Sequence, residues 1–509
     1  MDEYDILIIG GGINGCGIAR DAAGRGYSVC LAEMNDLASG TSSWSSKLIH
    51  GGLRYLEHYE FGLVRAALTE REVLLRAAPH VIRPMRFVLP FRKGLRSGFL
   101  LRMGLFLYDN LGARKLLPGT KNLDLRDDPA GEPLRDEYVK GYEYSDCQAS
   151  DTRLVVLNAM DAAEKGASIN VRTEVLEAVA GDSGWTVKLR DLASNDVRTI
   201  QARMLVNGGG PWVDRILLNV TRRNDARNVR LVQGSHILTK KLYEHDRAYI
   251  VQTDDKRIIF FIPYEQDYTL IGTTDHDFEG DPGEAKITDS EIEYLVDVSN
   301  RYLKRPIERD DIVWTYSGVR PLYDDGASAA KDATRDYVLR VENGDGPAPM
   351  LNIFGGKLTT YRTLAEKALA KIEETIGAKR DAWTADAVLP GGDFPAERFD
   401  DELASLRQDY PFLNEATSYR LFRAYGTRAR TILGDAKTWS DLGTDYGAGL
   451  TEAEVGYQIE NEFATKAEDV IWRRTKSALR MSEDELARLR ERIEGGGVAA
   501  FRKVEPEVA

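Results

Sequence analysis

Near its start the chain reads YDILIIGGGING at residues 4–15, and this stretch predicts the architecture of the first domain. Residues 4–9 form a nearly continuous apolar run, which is typical of a strand buried on both faces of a parallel sheet. Residues 10–15 are a complete GxGxxG, whose glycines allow a tight turn, close approach of a pyrophosphate and close helix packing. The stretch therefore predicts a dinucleotide-binding unit with a helix over 13–25 that points its N-terminus at phosphate groups.

The segment that follows the first helix indicates which dinucleotide binds. A second apolar strand over 27–32 ends at Glu33, about 20 residues after the glycine loop, where an acid accepts hydrogen bonds from ribose and disfavours NADP. The hydroxyl-rich GTSSWSSK at 40–47 can surround the far end of a long cofactor, which favours FAD. The chain has no second complete GxGxxG, which argues against a nicotinamide as the electron acceptor. The FAD ligands predicted here are Gly10, Gly12, Ile13, Asn14, Gly15, Glu33, Thr41, Ser42, Ser45, Ser46 and Lys47.

Two later glycine-rich junctions extend the predicted cofactor site. After a predicted helix over 151–165, residues 168–206 resemble short strands, which predicts a β-meander inserted into the nucleotide-binding fold. The meander ends in NGGGPW at 207–212, and a later strand at 350–354 leads into GGKLTTYR and a long amphipathic helix. Backbone N–H groups at such junctions can approach a cofactor. The junctions add Gly208, Gly210, Gly356, Lys357, Leu358 and Thr359 to the predicted FAD ligands.

The order of elements predicts a mixed α/β and α+β fold with three domains. Strand-like runs over 230–277 suit a substrate-domain sheet, a helix is expected over 289–303, and the chain beyond 389 is mostly helical and strongly charged. The predicted division is 1–80 with 145–225 and 345–388 as a discontinuous FAD-binding domain, 81–144 with 226–344 as a substrate-binding and membrane-facing domain, and 389–509 as a helical C-terminal domain.

Composition restricts the possible partners and compartment. A net charge of −13 over 509 residues argues against a general nucleic-acid binder, which needs clustered Lys and Arg. Three cysteines without a CxxC pair and six scattered histidines predict a reduced compartment and no metal site. The acidic start MDEYD resembles neither a secretory signal nor a myristoylation site, and no apolar run spans a bilayer. We therefore expect a cytoplasmic protein whose membrane contact is peripheral or monotopic.

One segment has the composition of a membrane-surface helix. Residues 91–115, FRKGLRSGFLLRMGLFLYDNLGARK, hold six basic residues and one acid interleaved with Leu, Phe and Met. This pattern is typical of a helix that lies in an interface with anionic lipid. Periodicity alone also allows an ordinary helix whose apolar side packs into the core.

Several longer motifs together resemble one family. GGGINGCGIARDAAGRG, TSSWSSKLIHGGLRYLEHYEFGLV, WTYSGVRPL and FGGKLTTYR are similar to segments of the aerobic, FAD-dependent glycerol-3-phosphate dehydrogenases, and the resemblance extends from residue 5 to about residue 390. It implies a glutathione-reductase-like FAD fold and a membrane-associated homodimer. It further implies oxidation of sn-glycerol 3-phosphate to dihydroxyacetone phosphate, with electrons passed to ubiquinone or menaquinone in respiration and glycerol catabolism. The chain departs from the family at two places. Members of the family often have Ala-Thr-Gly where this chain has three glycines at 208–210, and they often have Lys where it has Gln233.

The expected reaction assigns candidate roles to residues in these motifs. Oxidation of a secondary alcohol needs a hydride acceptor, a base and cations that hold the phosphate. Neutral imidazole can accept the proton, so His50 and His236 are the candidate bases, although each could instead be a structural histidine. The cations suit phosphate or a developing alkoxide, and hydroxyls can add hydrogen bonds. The predicted catalytic residues are His50, His236, Arg320 and Lys357, and the predicted substrate ligands are Arg54, Tyr55, Arg320, Arg335, Lys357 and Thr360.

Three other functions remain compatible with these residues. A glycerol-3-phosphate oxidase would use the same site but deliver electrons to oxygen, and would not respond to removal of quinone. A flavoprotein amine or amino-acid oxidase would turn over amines and not a phosphorylated polyol. A flavin-containing membrane adaptor without catalysis would keep its flavin oxidised with every polyol phosphate.

Overall fold

The protein has two mixed β-sheets followed by a helical region, seen in a computed structural model that describes residues 2–92, 98–112, 115–222, 228–255, 257–324, 336–343 and 347–495. The predicted mixture of α/β and α+β architecture is confirmed. The strands are β1 (Asp2–Ile9), β2 (Val29–Ala32), β3 (Leu48–Ile49), β4 (Ile82–Pro90), β5 (Lys121–Asp124), β6 (Lys140–Ala149), β7 (Ser168–Asn170), β8 (Thr173–Gly181), β9 (Gly184–Asp191), β10 (Val197–Asn207), β11 (Val229–Lys240), β12 (Ala248–Gln252), β13 (Ile258–Tyr264), β14 (Tyr268–Gly272), β15 (His276–Asp277), β16 (Ile312–Tyr323), β17 (Val338–Glu342) and β18 (Met350–Phe354).

The helices begin and end close to the residues that the sequence patterns predict. The helices expected over 13–25, 151–165 and 289–303 are one residue shorter at the C-terminal end, and a Thr288 capping box begins the third. The α-helices are α1 (Ile13–Gly24), α2 (Phe61–Ala77), α3 (Gly98–Leu111), α4 (Asp151–Glu164), α5 (Val213–Asn219), α6 (Asp289–Tyr302), α7 (Tyr361–Ile376), α8 (Phe399–Asp409), α9 (Glu415–Tyr425), α10 (Ala429–Leu433), α11 (Glu452–Asn461) and α12 (Glu483–Arg490).

The first sheet carries the glycine loop. Its strand order is β17-β18-β10-β1-β2-β7, and β1 pairs in parallel with both β2 and β10. The buried run 6–9 lies in the centre of this sheet because both faces are covered, by α1, α4 and α7 on one side and by the meander and α5 on the other. The predicted meander forms from the antiparallel strands β8, β9 and β10.

The second sheet carries His236 on β11 and Arg320 on β16. Its order is β15-β11-β14-β13-β12-β4-β6-β3, with β16 beside β11 and β5 beside β6. One face packs on α6 and the other on α2 and α3. Strand β3, from the predicted FAD-binding segment 1–80, lies in this sheet, whereas β17, from the predicted substrate segment 226–344, pairs with β18 in the first sheet.

The C-terminal region is helical, as the sequence predicts. Helices α8, α9 and α10 pack against the helices of the first sheet, and α11 and α12 form a small core of their own. Buried ion pairs connect this region to the rest of the chain; Arg153 of α4 contacts Glu462 with both terminal guanidinium nitrogens. Trp472 stacks on Trp314 with ring centroids 4.7 Å apart.

The junction between α2 and the C-terminal helices buries a histidine and predicts an acid-sensitive contact. His80 is fully buried beside Gly391 and Gly426, and neither ring nitrogen has a hydrogen-bond partner among the described residues. Burial holds the pKa of His80 well below its usual value, and the nearby Arg153 and Arg423 act in the same direction. Below about pH 6.5 the unfolded chain therefore binds more protons than the folded chain, and stability falls as the pH falls.

We expect His80→Leu to weaken the acid sensitivity of the protein. The wild-type contribution amounts to at most about 1.4 kcal/mol per pH unit between the unfolded and folded pKa values. Melting temperatures at pH 7.5 and 5.5 measure it, and the drop between them should be smaller in the variant. An equal drop in both proteins would show that His80 does not contribute.

A candidate active site between the two sheets

The glycine loop joins β1 to α1 and lies against the end of β10. Gly10 has φ +112°, and a Cβ there would lie 2.6 Å from the Gly208 oxygen, so this approach requires glycine at position 10. A Cβ on Gly15 would lie 2.0 Å from the Gly10 oxygen. Gly12 caps α1, and the Ile13 N–H donates to the Ser42 hydroxyl over 3.0 Å. The helix N-terminus thus faces the hydroxyl-rich segment, as a phosphate site requires.

Glu33 is bound to the back of the glycine loop. Its carboxylate accepts the N–H groups of Gly11 and Asn35, each over 2.7 Å. Burial raises the pKa of Glu33, and these two hydrogen bonds oppose the rise. An ionised carboxylate has about four acceptor positions, so Glu33 keeps acceptors for ribose hydroxyls.

Asn14 connects the glycine loop to the junction after β18. Its amide nitrogen donates to the Gly355 oxygen over 3.1 Å, whereas its amide oxygen is buried and has no partner within the described ranges. Gly356 has φ +104°, and a Cβ there would lie 2.7 Å from the Asn14 amide nitrogen. A buried amide oxygen without a partner, next to the glycines of this junction, fits FAD, whose ribityl hydroxyls can donate to such an oxygen.

The hydroxyl-rich segment mostly contacts protein groups. Thr41 donates to the Val319 oxygen over 2.6 Å, which fixes the segment to β16. The Ser45 hydroxyl donates to Asp151 over 2.7 Å, and the buried Lys47 ammonium lies 2.9 Å from the same carboxylate. The structure therefore gives Lys47 and Ser45 a shared protein partner at the place where the sequence suggested a cofactor contact. Ser46 contacts His236, one of the candidate bases.

One row of the second sheet leads from His236 to a phenylalanine that contacts His50, which lies just after β3. His236 pairs with Gly272 and Gly272 with Phe260, and the His50 ring meets the edge of Phe260 at 6.3 Å between centroids. His236 Nε2 lies 2.9 Å from the Ser46 hydroxyl, and its Nδ1 has no partner in the part of the chain described. Burial lowers the pKa of both histidines, that of His236 well below its usual value. Both rings are therefore neutral near pH 7 and can accept a proton.

Arg320 projects from β16 over the glycine position of the neighbouring strand. A Cβ on Gly234 would lie 2.5 Å from Arg320 Nη2, so only glycine leaves room for the guanidinium. Asp275 accepts from Arg320 Nη1 over 3.0 Å, and the Thr273 hydroxyl accepts from Nη2 over 3.1 Å. The positive charge of Arg320 also contributes to the lowered pKa of His236, which places the two side chains in one electrostatic environment.

Lys357 supplies a second cation beside the other histidine. Its ammonium lies 4.2 Å from the centre of the Tyr55 ring, and its charge contributes to the lowered pKa of His50. The N–H of His50 donates to the Thr359 hydroxyl over 3.2 Å, which holds the end of β3 against the junction after β18. Arg54 is half-buried, and Thr360 is buried, beside this contact. Leu358 begins the short helix there and Gly210 begins the one after β10.

A buried cluster that the sequence did not suggest fixes the loop carrying Arg54 and Tyr55. Asp146 accepts hydrogen bonds from the Gly51 N–H over 3.3 Å, from Tyr108 over 2.7 Å and from Arg71 over 2.7 Å. The partners come from three distant segments, so no local pattern could reveal them. Asp275 and Thr273 were also missed as partners of Arg320, although both lie in the stretch IGTTD at residues 271–275. Arg335 lies outside the described residues.

A cavity of about 440 Å³ adjoins the hydroxyl-rich segment. It lies beside β16 and between the two sheets, and Trp44, Trp212 and Trp314 contribute to its walls. Trp44 also packs against Tyr316, with ring centroids 5.6 Å apart, and Tyr316 stacks on His236. An aromatic surface thus extends from this cavity to the candidate base.

The fold and the site define a flavin-dependent oxidoreductase, and comparisons with known proteins agree. Residues 5–362 match the family described as FAD dependent oxidoreductase, and residues 382–494 match the C-terminal domain of alpha-glycerophosphate oxidase. The chain belongs to this oxidoreductase family, and its relatives include the aerobic glycerol-3-phosphate dehydrogenases. Its cofactor is FAD.

Individual relatives cover almost the whole chain. It is 49% identical to D-erythritol 1-phosphate dehydrogenase of Brucella abortus over 98% of this chain and 99% of the relative. It is 48% identical to the aerobic glycerol-3-phosphate dehydrogenase of Escherichia coli over 96% of this chain and 97% of the relative. The structure of the Bacillus halodurans glycerol-3-phosphate dehydrogenase complexed with FAD superimposes with a TM-score of 0.74 at 25% identity, covering 99% of this chain and 97% of that one.

Proposed function

We propose that the protein oxidises sn-glycerol 3-phosphate to dihydroxyacetone phosphate and passes the electrons to ubiquinone or menaquinone. The observation that carries this proposal is a cation near each neutral histidine: Arg320 lies over Gly234, two residues before His236, and the charge of Lys357 contributes to the lowered pKa of His50. Cations suit a phosphate group and neutral histidines suit proton removal. The identity to the E. coli relative supports the same substrate.

Different residues of the chain bind different parts of the substrate. The fork of Arg320, oriented by Asp275, binds phosphate oxygens, and Lys357 adds a compact charge. Arg54, Tyr55 and Thr360 complete the binding surface, and Arg335 is proposed to assist it.

Proton removal is assigned to one of the two neutral histidines. The Nε2 atom of His236 is hydrogen-bonded to the Ser46 hydroxyl, and this hydroxyl can therefore orient the ring. His50 is held through its backbone N–H. The glycine loop, Glu33, Asn14 and the glycines after β10 and β18 would hold FAD, which would supply the hydride acceptor when bound.

An exposed apolar face supports contact with an anionic membrane surface. Leu100, Met103 and Phe106 recur every three residues along α3 and are 53%, 46% and 65% exposed, while Leu105 and Tyr108 on the other side are buried. One side of α3 therefore packs in the core, and the other suits a lipid interface. Tyr59 is exposed in the segment just before α2, which packs on α3. Across the described ranges, no helix is long and apolar enough to cross a bilayer.

The D-erythritol 1-phosphate dehydrogenase at 49% identity favours a second candidate substrate. Erythritol phosphate is one carbon longer than glycerol phosphate and carries the same phosphate group, so the same cations would bind it. The three-domain division, the homodimer and the cytoplasmic location remain part of the proposal.

An anaerobic absorption spectrum of the purified flavoprotein tests the proposed substrate. We expect sn-glycerol 3-phosphate to bleach the flavin, whereas glycerol and the opposite stereoisomer do not. Faster bleaching by D-erythritol 1-phosphate would select the second candidate, and an unchanged oxidised spectrum would contradict both. Turnover that persists in oxygen after quinone is removed would replace the quinone acceptor with oxygen.

A further inference from the structure

The turn after β2, residues 33–39, is bound on one side to the glycine loop. The Glu33 carboxylate accepts the Gly11 N–H, and the Ala38 N–H donates to the Gly11 oxygen over 3.0 Å. The Leu37 side chain lies so close to Gly11 that a Cβ there would be 3.0 Å from it. A displacement of this turn would therefore move both Glu33 and the backbone of the glycine loop.

The other side of the same turn is bound to the C-terminal region. Asp36 is fully buried and accepts both terminal nitrogens of Arg474, over 2.7 and 2.8 Å, and also contacts Arg473. Arg474 is itself fully buried and donates two hydrogen bonds to the backbone carbonyl oxygen of Glu462, over 2.9 and 2.6 Å. These donors leave Asp36 and Arg474 fixed in one geometry 438 residues apart in sequence.

A second contact joins the same two regions. The Arg172 N–H donates to the Asn35 oxygen over 2.9 Å, and its guanidinium donates to Asp469 over 2.7 Å. Asp469 is fully buried and also accepts the N–H groups of Thr465 and Lys466, each over 2.9 Å. Asn35 thus accepts from the backbone of a residue whose side chain the C-terminal region holds, and Asp36 accepts from side chains of that region.

We propose that Asp36, Arg473 and Arg474, together with the Arg172–Asp469 pair, act as positioning residues through which the C-terminal region holds the adenosine half of the FAD site. They fix the turn that carries Glu33, and Glu33 fixes the ribose and the glycine loop. The inference rests on the proposed role of Glu33 and is independent of the substrate and the electron acceptor. Loosening the C-terminal region at this contact therefore weakens FAD binding rather than only stability.

Arg474→Lys tests the proposal because lysine keeps the charge and loses the two parallel hydrogen bonds. The matched control is Arg420→Lys. Arg420 forms an equally short pair with the buried Glu454, over 2.6 and 2.7 Å, wholly within the C-terminal region. Both variants weaken that region, but only Arg474 contacts the turn. FAD dissociation constants are measured by fluorescence on the full-length protein, after flavin removal and without substrate, and melting temperatures are recorded alongside.

We expect Arg474→Lys to raise the FAD dissociation constant at least about tenfold and Arg420→Lys to change it less than about twofold. The double variant Asp36→Asn with Arg474→Lys should bind FAD no more weakly than the single variant with the lower affinity, because the two residues act as one unit. If Arg474→Lys does not fold, Arg172→Lys replaces it with the same expectation. Equal weakening in the control, or unchanged affinity in the Arg474 or Arg172 variant, would overturn the proposal. Failure of flavin bleaching by substrate would leave these affinities unaffected and would contradict only the proposed function.

Discussion

Arg320→Leu is expected to lower kcat/KM for the polyol phosphate by about 10²–10³-fold, because loss of a charged contact to a partly desolvated partner costs about 2–5 kcal/mol. Arg320 is held over Gly234 by Asp275 and Thr273, so its fork is oriented before substrate arrives. Arg320→Lys keeps the charge without the fork and should show a smaller loss. Steady-state kinetics with purified holoenzyme and an artificial electron acceptor measure both variants.

The split between kcat and KM locates the role of Arg320. A higher KM with unchanged kcat indicates phosphate binding in the ground state, whereas an equal fall in kcat and kcat/KM indicates stabilisation of the developing alkoxide. Arg340→Leu is the matched control, since Arg340 lies exposed on β17 and contacts Asn228 and Tyr323. Near-wild-type kinetics in Arg320→Leu would exclude Arg320 from the substrate site.

Lys47→Met is expected to destabilise the protein by about 3–5 kcal/mol, because it leaves the Asp151 carboxylate buried without its counter-charge. Both side chains are almost completely buried, and Asp151 begins α4, which packs on α1. The double variant Lys47→Met with Asp151→Asn removes the unpaired charge and should recover part of the loss. Thermal unfolding followed by circular dichroism measures the three proteins.

Flavin content separates this stability role from the cofactor contact that the sequence suggested for Lys47. A lower melting temperature with stoichiometric FAD in Lys47→Met supports the ion pair as the main function of this residue. Unchanged stability with loss of FAD would support the cofactor contact instead.

Local sequence patterns were sufficient for the nucleotide-binding unit of the first sheet. The apolar run at 6–9, the GxGxxG and the periodicity of α1 each involve neighbouring residues, so the backbone geometry they require can be inferred without the rest of the chain. The same holds for α6, which was predicted over 289–303. For the candidate site, the glycine junctions suggested where backbone meets cofactor, but the substrate residues were selected by the family motifs.

Contacts between distant segments could not be inferred in this way. Lys47 stands among hydroxyl residues in the sequence, yet its partner Asp151 is 104 positions away. Strand β17 lies among residues expected in the second sheet, yet its backbone hydrogen bonds pair it with β18 of the first. Pairings of this kind depend on which groups are left without water and counter-charge once the chain is compact.

By itself, then, the sequence determined the nucleotide-binding unit, several of the later helices and strands and the candidate residue types, because these follow from local geometry and hydrophobic period. Only the tertiary structure showed that Arg320 lies over Gly234, near His236. Likewise, only the tertiary structure showed that Lys47 forms an ion pair with Asp151 and Arg474 with Asp36. The physical reason is that a buried charge must find a partner in space, and chain separation places no limit on where that partner comes from.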